Sequence, residues 1–279
     1  MKTPREAMNR RQFIQRTGGA AAALAATSFV TPSITQAQGL IDGGWVPDDK
    51  DAYDLLLPRI CNNNPDWDFG PGGDKNLLEQ FSSIMRCKVK LQDNVRDEYP
   101  DNGLPEHFNG VVDLTNLETM RKFPAMFMMG TGAYDIRIPE RLQNLKSYLE
   151  EGGFLLMDEC ASPRRSDQFY QSGVRLMQKL FEPDQIRRIP EDHEVYCNVY
   201  DISEPNFRRW RRNSSQSSSA GSGSPGNTGV FIGDRIAVII CDADIHCGWL
   251  DPRDSWGKRA NNHESIQTGI NFLTYFMSH

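Results

Sequence analysis

Four short polar groups carry the residues able to do chemistry in this 279-residue chain: Asn62-Asn63-Asn64-Pro65-Asp66-Trp67, Gly130-Thr131-Gly132, Asp158-Glu159-Cys160 and Asp242-Ala243-Asp244-Ile245-His246-Cys247-Gly248-Trp249. Three kinds of chemistry fit them. Cys160 could act as a nucleophile with His193, the nearest candidate base, although the adjoining Asp158 and Glu159 would raise the thiol pKa and oppose activation. The carboxylates of Asp158, Glu159, Asp242 and Asp244, with His246 beside them, suit a divalent cation such as magnesium, calcium or manganese. Trp67 and Trp249 offer faces for stacking a sugar or peptidoglycan fragment, with Asp66, Thr131, Asp158, Glu159 and Asp244 as polar partners. Plainer roles compete with each: carboxylates cap helices and accept loop N–H bonds, and tryptophans pack in interiors.

The elements that must position these groups alternate in type. Strand-length apolar runs fall at 53–60, 89–91, 125–129, 154–157 and 236–241, the third and fourth continuously apolar, as strands buried on both faces should be. Pro58 lacks a ladder donor, so the first strand must be interrupted, bulged or at an edge there. Helical spacing of apolar residues predicts helices over 76–86, 139–151, 166–181 and 263–277, with Pro139 suited to a first turn and Gly152-Gly153 ending that helix. This alternation predicts an α/β fold with a doubly wound, mostly parallel sheet, in which ligands bind beyond the carboxyl ends of the strands. All four polar groups follow predicted strands or their loops.

The N-terminus carries a different message. Asn9-Arg10-Arg11-Gln12-Phe13-Ile14 is followed by an alanine-rich stretch to Val30 and the small-residue sequence Thr35-Gln36-Ala37, the order of a twin-arginine export signal. Its apolar part is too short to span a bilayer comfortably. Residues 1–37 are therefore expected to direct a folded protein to the periplasm through the twin-arginine translocation machinery. A linker over 38–50 and one domain over 51–279 follow. Cleavage after Ala37 leaves 242 residues, enough for a well-buried core. The full chain has 31 basic and 37 acidic residues, and the signal holds five of the basics and one acid, so the mature protein carries 26 against 36, a net −10. That balance excludes a general binder of nucleic acid or anionic membrane; the cluster of Arg208, Arg209, Arg211 and Arg212 reads as a solvated charge run.

Residues 213–229 hold seven serines and four glycines and no large apolar residue, which predicts a flexible surface insertion. The six cysteines include no CxxC pair and no zinc-ligand spacing, so no structural zinc site is expected. Disulfides are permitted in the periplasm but not demanded for a domain of this size. Cys160 and Cys247 should both lie at the carboxyl edge of the sheet, and a bond between them requires their strands to be adjacent or their loops to converge.

Asp66-Trp67, Asn76-Leu77-Leu78, Gly152-Gly153-Phe154-Leu155-Leu156-Met157-Asp158-Glu159-Cys160, Asp244 with Cys247-Gly248-Trp249, and Gly269-Ile270-Asn271 together resemble the bacterial domain of unknown function 4159 family, over the whole mature chain. The resemblance implies a flavodoxin-like three-layer fold akin to class I glutamine amidotransferases, and it supplies no reaction. The superfamily's cysteine nucleophile sits in a tight, glycine-flanked turn. Cys160 follows a strand but has Asp158-Glu159 before it and Ala161-Ser162-Pro163 after it, and the residues around His193 lack the histidine-proline-glutamate pattern of a glutaminase. The expectation is thus a periplasmic ligand- or partner-binding domain without glutaminase activity. The alternative is a hydrolase, metal-assisted or not, of an amide or sugar-containing envelope substrate.

Overall fold

The computed structural model describes residues 44–61, 67–91, 109–160, 168–202, 226–253 and 262–279. Seven strands form one sheet: β1 (Arg59–Ile60), β2 (Val111–Val112), β3 (Ala125–Gly130), β4 (Phe154–Glu159), β5 (Ile186–Arg188), β6 (Thr228–Ile232) and β7 (Arg235–Cys241), in the order β2-β1-β3-β4-β7-β6-β5. The five strands from β2 to β7 run parallel, and the β6 and β5 edge is antiparallel. The protein is an α/β domain with a mostly parallel sheet, compatible with double winding.

Helices cover both faces. Helix α1 (Pro71–Met85) and α5 (Asn262–Ser278) lie on one side, while α2 (Leu117–Met120), α3 (Pro139–Glu150) and α4 (Gln168–Gln178) lie on the other. The pleat divides the central strands between two cores: Phe154 and Leu156 face α1 and α5, whereas Leu155 and Met157 face α3 and α4. Every residue of β3 and β4 is buried, which is why these segments read as unbroken apolar runs.

The short strands follow from local chemistry. Pro58 cannot donate to a ladder, and β1 starts only after it, so the expected strand over 53–60 shrinks to two residues. Its first half, like 89–91, is reduced to an isolated bridge between Leu55 and Val89. Helix α1 begins five residues before the expected 76, because Pro71 occupies the first helical turn, where its missing N–H costs nothing. Gly70 precedes it at φ +62°, and a Cβ there would stand 2.9 Å from His246 Cε1, so only glycine fits.

Residues 1–43, and with them the export segment, lie outside the described residues, as does 203–225. The described end of the serine-rich segment departs from the expectation of a surface loop: Asn227, Thr228 and Gly229 are buried, and Thr228 opens β6. Part of the expected linker is likewise tied down, with Trp45 exchanging backbone hydrogen bonds with Val111 at the β2 edge. Among the described residues no helix is long and apolar enough to cross a membrane.

Candidate functional site

Strands β4 and β7 are adjacent, and Asp158 pairs in register with Cys241, so the polar groups after both strands meet at the carboxyl edge. They meet in the interior. Asp158, Glu159 and His246 have no exposed surface, and Asp242, Asp244, Cys160, Cys247 and Trp249 have 6% or less.

The carboxylates are engaged by backbone. Asp158 accepts the N–H of Ile245 at 3.2 Å and of His246 at 2.8 Å, clasping the loop after β7 onto the end of β4. Glu159 points to the other face and accepts the Tyr170 N–H at 2.7 Å, within the first turn of α4. Asp242 accepts from Gly226 and Asp244 from Cys247. Burial, then the neighbouring Asp244 charge, pushes the Asp158 carboxyl well above the usual carboxylate range, against the pull of the two amides.

His246 is built into the same interior. Its Nε2 lies 2.9 Å from Arg59 Nη2 and 3.4 Å from Asp74 Oδ1, and Arg59 and Asp74 form a bidentate ion pair at 2.7 and 2.8 Å. Burial lowers the His246 pKa. It also opposes ionisation of Asp74, but the Arg59 charge and the His246 contact prevail and hold that carboxyl low. Arg59 further donates to the carbonyls of Trp67 and Phe69, fixing the turn that leads into α1. Sequence reasoning passed over this arginine, yet one signal was present: a charged residue beside Leu55-Leu56-Leu57 needs a buried anion.

Trp249 is no stacking platform for solvent-borne ligands. Its Nε1–H donates to the Ser265 carbonyl, and its ring packs 5.3 Å from Phe127 and 5.5 Å from His246. It backs a shallow hollow of about 300 Å³ beside Asn76, Tyr200 and His263. Trp67 and Thr131 are half-buried, and Asp66 lies outside the described residues.

The cysteine–histidine pair is not assembled. Cys160 follows the carboxyl end of β4, whereas His193 packs 5.5 Å from the Tyr275 ring, whose hydroxyl accepts the N–H of Ile236 near the amino end of β7. Five residues of strand, about 17 Å, separate Ile236 from Cys241. The His193 Nδ1 accepts the Val195 N–H in a local turn, and burial lowers its pKa. Cys160 instead meets Cys247, Sγ to Sγ at 3.6 Å, with no disulfide between them. The expected ligand set of Asp158, Asp242, Asp244 and His246 does not converge either: among the described residues, the one group of three or more with ligand atoms all within 4.8 Å of one another is Cys160, Cys247 and Asp244.

The open cleft lies elsewhere on the same edge. A hollow of about 760 Å³ is walled by Cys61 after β1, Leu114 after β2, residues 133–138 after β3, and the facing flanks of α3 and α4. This is where the strand order reverses, between β1 and β3. Arg137, Arg141, Arg175 and Lys179 line it. Asp135 pairs with both Arg137 and Lys179, and Asp113 with Arg141 at 3.3 Å, so among the described residues these ion pairs set two carboxylates against four cations. Arg175 donates to Ser172 Oγ at 2.8 Å.

Residues 57–277 match the family described as Domain of unknown function (DUF4159). The chain belongs to that family. No curated protein matches it. The Cys247-Gly248-Trp249 turn has a structural task that the geometry explains: a Cβ on Gly248 would collide with Ser265 Oγ at 2.1 Å.

Proposed function

We propose that this DUF4159 protein is exported folded by the twin-arginine machinery and works in the periplasm as a binding domain for a small polar ligand bearing anionic groups. A peptidoglycan fragment, with free carboxylates on its stem peptide, is an envelope molecule of that chemistry. The observation that carries this reading is the 760 Å³ cleft at the strand-order reversal, where the described residues set four cations against two carboxylates. Its volume is that of ordinary small-molecule sites. A positive cleft on a mature chain of net −10 focuses attraction on that one mouth. The order β2-β1-β3-β4-β7 is also the flavodoxin-like one, in which ligands bind at the reversal, and it supports the amidotransferase-like three-layer assignment. Thr131, a binding residue expected from the sequence, opens the loop that supplies residues 133–138.

Absence of glutaminase activity is supported by the burial of Cys160 against Cys247 and by the placement of His193 at the other edge of the sheet. The hydrolase alternative has no Cys160–His193 contact to recommend it.

Thermal unfolding with two probes, inorganic phosphate and a soluble disaccharide muropeptide, tests the reading. At a concentration 100 times Kd, binding adds about 2.7 kcal/mol, which for a domain of this size raises Tm by about 5–10 °C. The Arg141→Ala/Arg175→Ala double variant should lose that shift. No shift with either probe, or a shift retained in the variant, contradicts the proposal.

A further inference from the structure

We propose that Cys160, Cys247 and Asp244 form a site for a thiophilic divalent cation of the zinc class, separate from the basic cleft. The two sulfurs stand 3.6 Å apart, and an Asp244 carboxylate oxygen lies within 4.8 Å of both. Two zinc–sulfur bonds of about 2.3 Å at a tetrahedral angle place their sulfurs about 3.8 Å apart. A disulfide requires about 2.05 Å, so the observed spacing lies near the edge of a metal tetrahedron. Two thiolates and a carboxylate make a softer donor set than the carboxylates and His246 that the sequence suggested, and select zinc over magnesium or calcium.

The ligands are held before any ion arrives. Cys160 is fixed by its N–H to the Gly130 carbonyl at 2.9 Å, directly after β4. Asp244 and Cys247 share one turn, in which Asp244 Oδ1 accepts the Cys247 N–H at 3.1 Å. Asp158 binds that turn to β4 through the Ile245 and His246 amides, the arrangement of a supporting group behind metal ligands. Trp249 and Phe127 close the interior around it. Binding forms two metal–sulfur bonds and one metal–oxygen bond and releases the two thiol protons to solvent; water or a further donor takes the fourth corner.

Cobalt titration of the full chain, reduced with a phosphine and stripped with a chelator, reads the site directly. One equivalent of Co²⁺ should produce a sulfur-to-cobalt charge-transfer band in the near ultraviolet and strong tetrahedral d–d bands, both erased by Zn²⁺. Cys160→Ser and Cys247→Ser should each weaken cobalt binding at least about tenfold, the loss typical of removing even a supporting group. Cys197→Ser, at an exposed position, should match wild type. Should a cysteine variant fail to fold, Asp244→Asn keeps both thiols and its bond from Cys247, and should still weaken binding. Absence of the charge-transfer band in wild type, its persistence in all three ligand variants, or a Cys160–Cys247 disulfide in a chain that takes up no cobalt after reduction would overturn the proposal.

Discussion

Replacing Asp74 by alanine should destabilise the domain by about 3–5 kcal/mol, because it leaves the Arg59 guanidinium buried without its counter-charge. Arg59 is fully buried and Asp74 is 2% exposed. Both Asp74 oxygens are used, at 2.7 and 2.8 Å, and among the described residues the Arg59 guanidinium otherwise meets carbonyl oxygens of the 67–70 turn and His246 Nε2 at 2.9 Å. Carbonyls satisfy the N–H groups but do not neutralise the charge. At about 2–4 °C per kcal/mol for a domain of this size, Tm should fall by about 6–20 °C. Urea unfolding followed by circular dichroism measures the change. The Arg59→Met/Asp74→Leu pair removes both charges and restores apolar volume, so it should be less destabilised than the sum of the single variants, although the carbonyls of Trp67, Phe69 and Gly70 then lose donors at about 1–3 kcal/mol apiece. A loss below about 1 kcal/mol for Asp74→Ala, or strict additivity in the double variant, would refute the view that this ion pair anchors the start of α1.

Replacing Arg10 and Arg11 by lysine should leave the precursor in the cytoplasm; mature protein in the periplasm would refute twin-arginine export. Because burial lowers the His246 pKa, the unfolded chain binds the proton first as pH falls, so this residue's contribution to stability is present above the unfolded value of about 6.5 and is lost as pH falls below it. Denaturation at pH 7.5 and about 5.5 should therefore show a larger loss in wild type than in His246→Asn, and equal losses would refute the assignment. Deleting residues 214–224 while keeping Gly226, whose N–H bonds Asp242, should change stability by less than about 1 kcal/mol, since loop length enters closure entropy only logarithmically; a larger fall in Tm would contradict it.

The central sheet was legible because β3, residues 154–157 of β4 and residues 236–241 of β7 are buried on both faces and form unbroken apolar runs. The two-residue strands β1 and β2 were not, because Val111-Val112 is too short to show any period. Gly70-Pro71-Gly72-Gly73 looks like a helix breaker in isolation, yet it starts α1: the glycine supplies the left-handed turn and the proline the first helical residue. Convergence of the 158–160 and 242–249 groups followed from their strand-end positions, but their burial did not, since the amides that engage the carboxylates come from remote loops. The thiol pair depends on β4 lying beside β7, which chain order does not reveal. The basic cleft was invisible for a similar reason: Arg137, Arg141, Arg175 and Lys179 belong to a loop and two helices and form no motif.

Calorimetric titration of a soluble disaccharide muropeptide into the mature protein, with mass spectrometry of the recovered ligand, tests the binding reading most directly. Saturable one-to-one binding is expected, weakened at least about tenfold, or 1.4 kcal/mol, in Arg141→Ala/Arg175→Ala, with the ligand recovered at unchanged mass. Absence of binding, or a ligand returned with an amide or glycosidic bond hydrolysed, would contradict it.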